Sequence, residues 1–143
     1  MTAHQAALEA LTRYFGYDSF RPGQQGIVEA LLAGRDVLGV MPTGAGKSVC
    51  YQIPAALSPG MTLVISPLIS LMRDQVDALN DLGLPAAFIN TTQTPDEQAM
   101  VFAQAAAGQI KLLYVAPERL ETGRFRDFAA RTPISLILSL IHI

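Results

Sequence analysis

The sequence predicts an α/β domain in which a mostly parallel sheet is covered by helices on both faces. Short apolar segments of strand type alternate with longer segments that have helical periodicity. Such alternation implies crossover connections, which bring successive strands parallel to one another. A glycine-rich loop, residues 42–46, lies between one strand-like segment and the start of a helical pattern. Residues 1–35 precede these elements as a predicted N-terminal helical segment.

The N-terminal segment contains signals for two helices. Thr2 and Gln5 have the spacing of a capping box, and Gly16 can end the helix predicted over residues 3–15. Pro22 suits the first turn of a second helix, which Gly34 would end. The two helices are therefore separated by a short loop that contains aromatic and polar residues.

The remainder of the chain predicts alternating strands and helices. Apolar and β-branched residues predict strands over residues 36–41, 62–66, 86–90 and 111–115. Helical spacing predicts helices that begin at Lys47 and that cover residues 70–82 and 95–107. The last of these helices opens with a capping box formed by Thr94 and Glu97.

Composition excludes several classes of protein. The 143 residues suit one domain, and with 50% hydrophobic and 15% charged residues the chain has enough apolar surface to fold. The formal charge of −2 gives no overall basic field for a nucleic acid or an anionic membrane. One cysteine excludes an internal disulfide and favours a reducing cytoplasm. No apolar run reaches the ~18 residues of a membrane span.

The segment 43–48, with the sequence TGAGKS, predicts a phosphate-binding loop. Glycines let main-chain N–H groups converge on phosphate oxygens at a helix N-terminus, Lys47 can reach the β and γ phosphates, and Ser48 can bind Mg²⁺. Met41 departs from the general pattern, which has glycine at that position. The alternative is an ordinary glycine turn with a solvated lysine, which average residue frequencies give only a few times in roughly ten thousand such chains.

The loop before the second helix offers groups that can recognise a base. The Gln24 amide can pair with N6 and N7 of adenine, and an aromatic ring such as Tyr17 can stack on the base, so that ATP is preferred to GTP. Alternatively, Tyr17 and Phe20 belong to the core and Gln24 caps a helix. From the residues alone, this second interpretation is the commoner one.

Four segments in order resemble the successive motifs of the RecQ family of ATP-dependent DNA helicases. They are FGYDSFRPGQ (15–24), MPTGAGKSVCYQIPA (41–55), SPLISLMRDQV (66–76) and YVAPERL (114–120). The resemblance extends over about residues 8–137 and is strongest to bacterial members. It implies a cytoplasmic, nucleoid-associated bacterial enzyme that uses ATP and Mg²⁺ to move 3′ to 5′ on single-stranded DNA and separate duplexes in recombination and repair.

The same resemblance implies a fold and a nucleotide site. Residues 36–137 would form part of a RecA-like first helicase lobe, a parallel sheet with helices on both faces. Tyr17 would stack on adenine, and Arg21 and Gln24 would read the base and its surroundings. The triphosphate and Mg²⁺ would be held by Thr43, Gly44, Ala45, Gly46, Lys47 and Ser48, with Lys47 as the catalytic residue and Ser48 as the metal ligand. Ala45 stands where relatives often have glycine.

The resemblance also implies a DNA-contacting side, with Ser66, Arg73 and Arg119 on it. From the residues alone, both arginines could instead pair with neighbouring acids such as Asp74, Asp77 or Glu118. Four of the ten cations lie within thirteen residues, which predicts a local positive patch that can face DNA; they are Arg119, Arg124, Arg126 and Arg131.

The C-terminal end departs from the family pattern. A D-E-A-H box is expected after a strand that begins near Ile134, but only residues 134–137 match that strand. Residues 138–143 resemble the translation of a transposase adapter end and are predicted to be non-native. The expectation is therefore a fragment without the D-E-A-H box, the second lobe and its arginine finger, inactive by itself.

Two other functions compete with that of a helicase. A nucleotide-binding module without turnover fits a phosphate loop that lacks its acidic partner. A small-molecule kinase is disfavoured, because neither the Gln24 cluster nor residues 66–76 would have a role in it.

Overall fold

The structure is a computed structural model that describes residues 2–40 and 46–140. It divides into two compact units, residues 1–58 and residues 59–143. Each unit is described by itself. None of the helices in the described ranges is long and apolar enough to cross a membrane.

The first unit contains three helices: α1 (Ala3–Phe15), α2 (Gln24–Leu32) and α3 (Lys47–Leu57). The capping box of Thr2 and Gln5 is present, and Gly16 ends α1 in the left-handed conformation with φ 74°. The three helices pack around a small apolar cluster made of Ala7, Ala10, Leu11, Val28, Val49 and Ile53. The predicted N-terminal helices are thus confirmed.

The predicted strand at residues 36–41 is wrong for the five residues that are described. Residues 36–40 have no strand structure, and Leu38 and Val40 are strongly exposed. A strand exists only where a neighbouring strand satisfies its main-chain N–H and C=O groups. Val37 and Val40 are β-branched, but no strand of the described sheet pairs with residues 36–40. Met41 lies outside the described residues.

The second unit is built on four parallel strands: β1 (Met61–Ile65), β2 (Ala86–Ile89), β3 (Leu112–Val115) and β4 (Ile134–Ser139). Their order in the sheet is β2-β3-β1-β4. Leu63 of β1 lies opposite Leu113 of β3, and Leu113 lies opposite Ala87 of β2. The predicted parallel α/β class is confirmed.

Helices cover both faces of this sheet. The helices α5 (Pro95–Ala106) and α6 (Gly123–Arg131) pack on one face through Ala105, Phe125 and Phe128. The helix α4 (Ile69–Asp81) lies on the opposite face, since Phe88 and Asn90 of the β2 region contact it whereas Ile89 belongs to the first face. The capping box of Thr94 and Glu97 opens α5 as predicted.

Two elements were not predicted. A short 3₁₀ helix covers Pro117–Glu121, and α6 follows it with the Thr122 hydroxyl accepting a hydrogen bond from the Phe125 N–H at 3.3 Å. The α6 pattern is hard to recognise, because only Phe125 and Phe128 are buried in a segment of nine residues with three arginines. Charge clustering was the stronger signal in this segment.

Strand β4 begins at Ile134, as the family resemblance implied, and runs to Ser139. It therefore includes Leu138 and Ser139, the first two residues of the segment predicted to be non-native. Any segment whose side chains alternate between a buried and an exposed face can extend a strand at the edge of a sheet. Strand formation therefore does not reveal the origin of residues 138–143, which stays a prediction. Residues 141–143 lie outside the described residues.

Candidate functional site

The first turn of α3 presents groups suited to an anion. Gly46 precedes the helix in the left-handed conformation, with φ 76° and ψ 40°, and no side chain caps the helix N-terminus. Lys47 and Ser48 are exposed in this turn. Main-chain N–H groups at a helix start have no partner inside the helix and carry a positive partial charge. Together with the lysine and the hydroxyl, they fit the phosphates and the metal of Mg-ATP.

Part of the predicted phosphate loop is not described. Thr43, Gly44 and Ala45 lie outside the described residues, so their roles in holding phosphates stay predictions. The motif needs a strand before the loop and a helix after it. The described part, from Gly46 to Ser48, has the helix that follows the loop. The described residues before the loop, 36–40, do not form the strand.

Gln24 connects the upstream loop to the predicted phosphate loop. It is buried at the start of α2, with 3% of its surface exposed. Its Oε1 accepts a hydrogen bond from the Arg21 main-chain N–H at 2.8 Å, and its Nε2 donates one to the Gly46 carbonyl at 3.0 Å. The predicted base-recognition loop and the phosphate loop are therefore in direct contact within the first unit.

Arg21 also lies beside the start of α3. A β-carbon added to Gly46 would press against Gln24 Nε2 and would lie 3.7 Å from Arg21 Nη1. Glycine is required here for two reasons, the positive φ and the closeness of the Gln24 amide. Three of the predicted nucleotide-binding residues, Arg21, Gln24 and Gly46, thus meet at one place.

The two aromatic residues of the loop have different surroundings. Phe20 is half-buried and packs against the apolar cluster of the first unit. Tyr17 is 51% exposed, and its main-chain carbonyl accepts a hydrogen bond from the Thr12 hydroxyl at 2.9 Å. The core interpretation is right for Phe20, whereas the Tyr17 ring is accessible for stacking.

Cys50 follows the predicted phosphate loop on α3 and is buried. Burial disfavours a charged thiolate, so the pKa of the Cys50 thiol lies above its ordinary value, an effect partly opposed by a hydrogen bond with the main chain of Cys50. The thiol is therefore protonated and unreactive at neutral pH, and Cys50 packs as a small buried residue.

The predicted DNA-side residues follow the strands of the second unit. Because the strands are parallel, their carboxyl ends lie along one edge of the sheet. Ser66 directly follows β1 and is buried, and its Oγ accepts a hydrogen bond from the Leu68 N–H at 3.2 Å. Arg119 lies in the 3₁₀ helix after β3 and is half-buried. The Ser66 hydroxyl thus shapes the turn after β1.

Arg73 is exposed on α4, and its guanidinium carbon lies 5.7 Å from the centre of the Phe88 ring. In the part of the chain that the structure describes, neither Arg73 nor Arg119 forms an ion pair. The alternative in which Asp74, Asp77 or Glu118 neutralises them is therefore not supported. Both charges are available to a phosphate.

Sequence reasoning missed a polar turn after β2. Asn90 is 2% exposed, and its Oδ1 accepts hydrogen bonds from the Thr92 N–H at 2.9 Å and from the Thr92 hydroxyl. Gln93 Nε2 donates to the Phe88 carbonyl at 2.8 Å, and Gln98 Nε2 donates to the Asn90 carbonyl at 2.9 Å. The signal in the sequence was the run of polar residues 90–93 between an apolar strand and a capping box.

The remaining arginines of the predicted positive patch lie on α6. Arg124 packs over the Phe102 ring at 5.2 Å, and Arg126 and Arg131 are exposed. Asp127 is exposed on the same helix, so the patch contains charges of both signs. Its contact with DNA stays a prediction.

Known proteins resemble the chain closely. The sequence profile of the DEAD/DEAH box helicases matches residues 21–136. A protein of Haemophilus influenzae is 50% identical over 131 residues, 92% of this chain and 21% of the relative. A protein of Pasteurella multocida is 49% identical over 133 residues, which are 93% of this chain and 21% of the relative. A protein of Bacillus subtilis is 48% identical over 120 residues, which are 83% of this chain and 20% of the relative. All three are named ATP-dependent DNA helicase RecQ.

The fold and the match over most of the chain define the class: this chain belongs to the DEAD/DEAH box helicase family. Within that family the similar proteins are RecQ helicases, as the four sequence motifs predicted. The chain spans about a fifth of the length of these curated relatives.

Proposed function

We propose that this chain forms the ATP-binding and DNA-contacting part of an ATP-dependent DNA helicase that moves 3′ to 5′ and acts in bacterial recombination and repair. The observation on which the proposal depends is the Gln24 amide, which bonds both to the Arg21 N–H and to the Gly46 carbonyl. This amide links a loop that can recognise a base to a helix start that can hold phosphates.

Each group of the nucleotide site has a proposed role. The exposed Tyr17 ring stacks on adenine, and Arg21 and Gln24 read the base and its surroundings. Lys47, with residues 43–46, binds the phosphates, and the Ser48 hydroxyl binds Mg²⁺. The metal supplies charge neutralisation of the phosphate oxygens when it is bound.

DNA contact is proposed for the edge of the sheet where β1, β2 and β3 end. Arg73 and Arg119 supply positive charge there, and neither forms an ion pair within residues 2–40 and 46–140. The turn that Ser66 shapes supplies main-chain groups. The net charge of the chain is −2, so DNA binding would depend on this local placement and not on a global field. An enzyme of this kind would work at the bacterial nucleoid in the cytoplasm.

The test is unwinding by the polypeptide that the complete reading frame encodes. We expect Mg-ATP to support separation of a duplex with a 3′ single-stranded tail, and not of the matching duplex with a 5′ tail. Lys47→Ala should abolish unwinding while leaving DNA binding without nucleotide unchanged, since the lysine serves the phosphates. Equal unwinding of both substrates, or full activity of Lys47→Ala, would contradict the proposal.

A second function fits the 143 residues taken by themselves: a nucleotide-binding module without turnover. The specific observation is that the D-E-A-H sequence occurs nowhere in the 143 residues. Such a chain has the groups for binding Mg-ATP but lacks the acid that holds the metal for hydrolysis.

A further inference from the structure

We propose that Thr12 is a positioning residue for nucleotide binding: its hydroxyl fixes the main chain of Tyr17 so that the exposed ring is set to stack on a purine base. The inference rests on the proposed function, because stacking by Tyr17 is part of that proposal. Thr12 lies inside α1, before the loop that joins α1 to α2, and sequence reasoning gave it no role. It acts through Tyr17 and does not touch the nucleotide.

The end of α1 holds the first residues of the loop through Thr12. The Thr12 hydroxyl donates to the Tyr17 carbonyl at 2.9 Å, within the range of hydroxyl donors. The Thr12 carbonyl accepts the Gly16 N–H at 3.0 Å. One residue of α1 therefore binds both Gly16 and Tyr17, the two residues that follow the helix.

Gly16 turns the chain back toward the last turn of α1. It has φ 74° and ψ 16°, the left-handed conformation that glycine adopts without steric cost. This reversal brings the Tyr17 carbonyl to a hydroxyl that lies five residues earlier in the chain. The direction in which the Tyr17 side chain leaves the main chain is thus set by two contacts with Thr12.

The other end of the loop is anchored independently of Thr12. Phe20 is half-buried against the apolar cluster of the first unit. The Arg21 N–H donates to Gln24 Oε1 at 2.8 Å at the start of α2. Loss of the Thr12 bond would therefore release the Tyr17 end of the loop and leave the Gln24 end in place.

The bond uses the main chain of Tyr17 and leaves its ring free. The residue is 51% exposed. A tyrosine whose main chain is held has only its side-chain torsions to order when it stacks on a base, so less conformational entropy is lost on binding. Every base has a π face, so this contribution raises affinity without distinguishing adenine from guanine.

A purely structural role for the hydroxyl is the alternative. In that case the bond stabilises only the end of α1, and its removal has the same effect whether or not a ligand carries a base. A positioning role instead affects only ligands with a base, and it requires the Tyr17 ring. These two differences make the roles separable by experiment.

The experiment measures equilibrium binding of Mg-ADP, Mg-GDP and Mg-tripolyphosphate to the polypeptide of the complete reading frame, without DNA. Tripolyphosphate has no base. Thr12→Val keeps the β-branched shape and removes the donor, and Thr12→Ala provides a second variant without the hydroxyl. Because one hydrogen bond makes a modest net contribution, affinity for both nucleotides should fall by the same factor, about threefold to tenfold. Affinity for Mg-tripolyphosphate should not change.

Three further variants complete the design. Thr12→Ser retains the hydroxyl and should bind like wild type. Tyr17→Ala should weaken binding of both nucleotides, and Thr12→Val added to it should cause no further loss. The matched control is Arg13→Gln, at the next position of α1, where the guanidinium carbon lies 5.2 Å from the centre of the Tyr14 ring. This control should leave all three affinities unchanged.

The outcomes separate this inference from the proposed function. If Tyr17→Ala weakens nucleotide binding and Thr12→Val equals wild type, the positioning role alone is overturned. It is also overturned alone if Thr12→Val weakens Mg-tripolyphosphate equally or adds its full effect to that of Tyr17→Ala. If Tyr17→Ala binds both nucleotides like wild type, the stacking role in the proposed function and this inference are overturned together. Thr12 is exposed, so its variants leave no cavity in the core.

Discussion

The side-chain amide of Gln24 bonds to two main-chain groups from different loops: it accepts from Arg21 at 2.8 Å and donates to the Gly46 carbonyl at 3.0 Å. The residues Gln24 and Gly46 are 22 positions apart in the chain. A buried amide that satisfies two loops makes the position of each depend on the other. Nucleotide recognition and phosphate binding are therefore expected to be coupled through this side chain.

The first prediction concerns base selectivity. Gln24→Ala should reduce the preference for Mg-ATP over Mg-GTP about tenfold or more, because a bidentate contact to a base contributes about 1 to 3 kcal/mol to discrimination. The matched control is Gln25→Ala, which removes an exposed amide that donates to Glu29 Oε1 at 3.2 Å and should change neither affinity. Titration of wild type and both variants with each nucleotide measures the ratio of the two affinities.

A different result would assign Gln24 a different role. If the variant binds both nucleotides more weakly by the same factor, the amide only braces the two loops and does not read the base. DNA affinity without nucleotide should stay unchanged in Gln24→Ala, and a parallel loss of it would indicate general unfolding.

The second prediction compares two glycines. Gly46→Ala should destabilise the first unit, since alanine at φ 76° costs about 1 to 2 kcal/mol and its β-carbon presses on the Gln24 amide. Gly26→Ala should instead stabilise it by up to about 1 kcal/mol, because Gly26 lies inside α2 with open space around the added carbon. Thermal unfolding of the two variants measures both effects, and a Gly46→Ala protein as stable as wild type would contradict the geometry.

Sequence reasoning identified most of the fold because the local signals agreed with one another. The capping boxes at Thr2 and Thr94 and the glycine at position 16 gave helix ends that agree with the structure to within one residue. The parallel sheet followed from strand and helix alternation. These features depend on neighbouring residues and are therefore readable from the chain.

The failures involve contacts between distant residues. Residues 36–40 include the β-branched Val37 and Val40, yet a strand depends on a partner that no local pattern reveals. The contact of Gln24 with Gly46 and the packing of Arg73 on Phe88 also join segments that are separate in sequence. The family resemblance pointed to Gln24 and Arg73, but only the structure supplied their partners.

The third prediction concerns Cys50 and pH. Since burial raises the pKa of the thiol in the folded state, folding favours the protonated form, and the unfolded chain loses its proton first as the pH rises. The stability contributed by Cys50 is therefore fully present below its ordinary pKa of about 8.5 and declines as the pH rises through the folded-state pKa. Unfolding free energies of wild type and Cys50→Ala should differ less as the pH increases above about 8.5.

Thiol reactivity provides the check on this prediction. An aromatic disulfide reagent should react with Cys50 slowly in the folded protein and rapidly after denaturation. A wild-type and Cys50→Ala difference that stays constant from neutral to alkaline pH would show that the thiol environment is not the one described.

The last prediction concerns hydrolysis by the 143-residue chain. The groups that can bind phosphates are present: Lys47, Ser48 and the main-chain N–H groups at the start of α3. We therefore expect weak affinity for Mg-ATP, and Lys47→Ala should reduce it. Hydrolysis also needs an acid for the metal and charge stabilisation of the transition state, and an arginine finger alone contributes about 10³ to 10⁵ in rate in related nucleotide hydrolases. The D-E-A-H sequence is absent from these residues, so no turnover above background is expected. The deciding measurement is DNA-stimulated phosphate release by this chain against the polypeptide of the complete reading frame. Comparable rates from the two, abolished by Lys47→Ala, would show that the catalytic acid lies within these 143 residues after all.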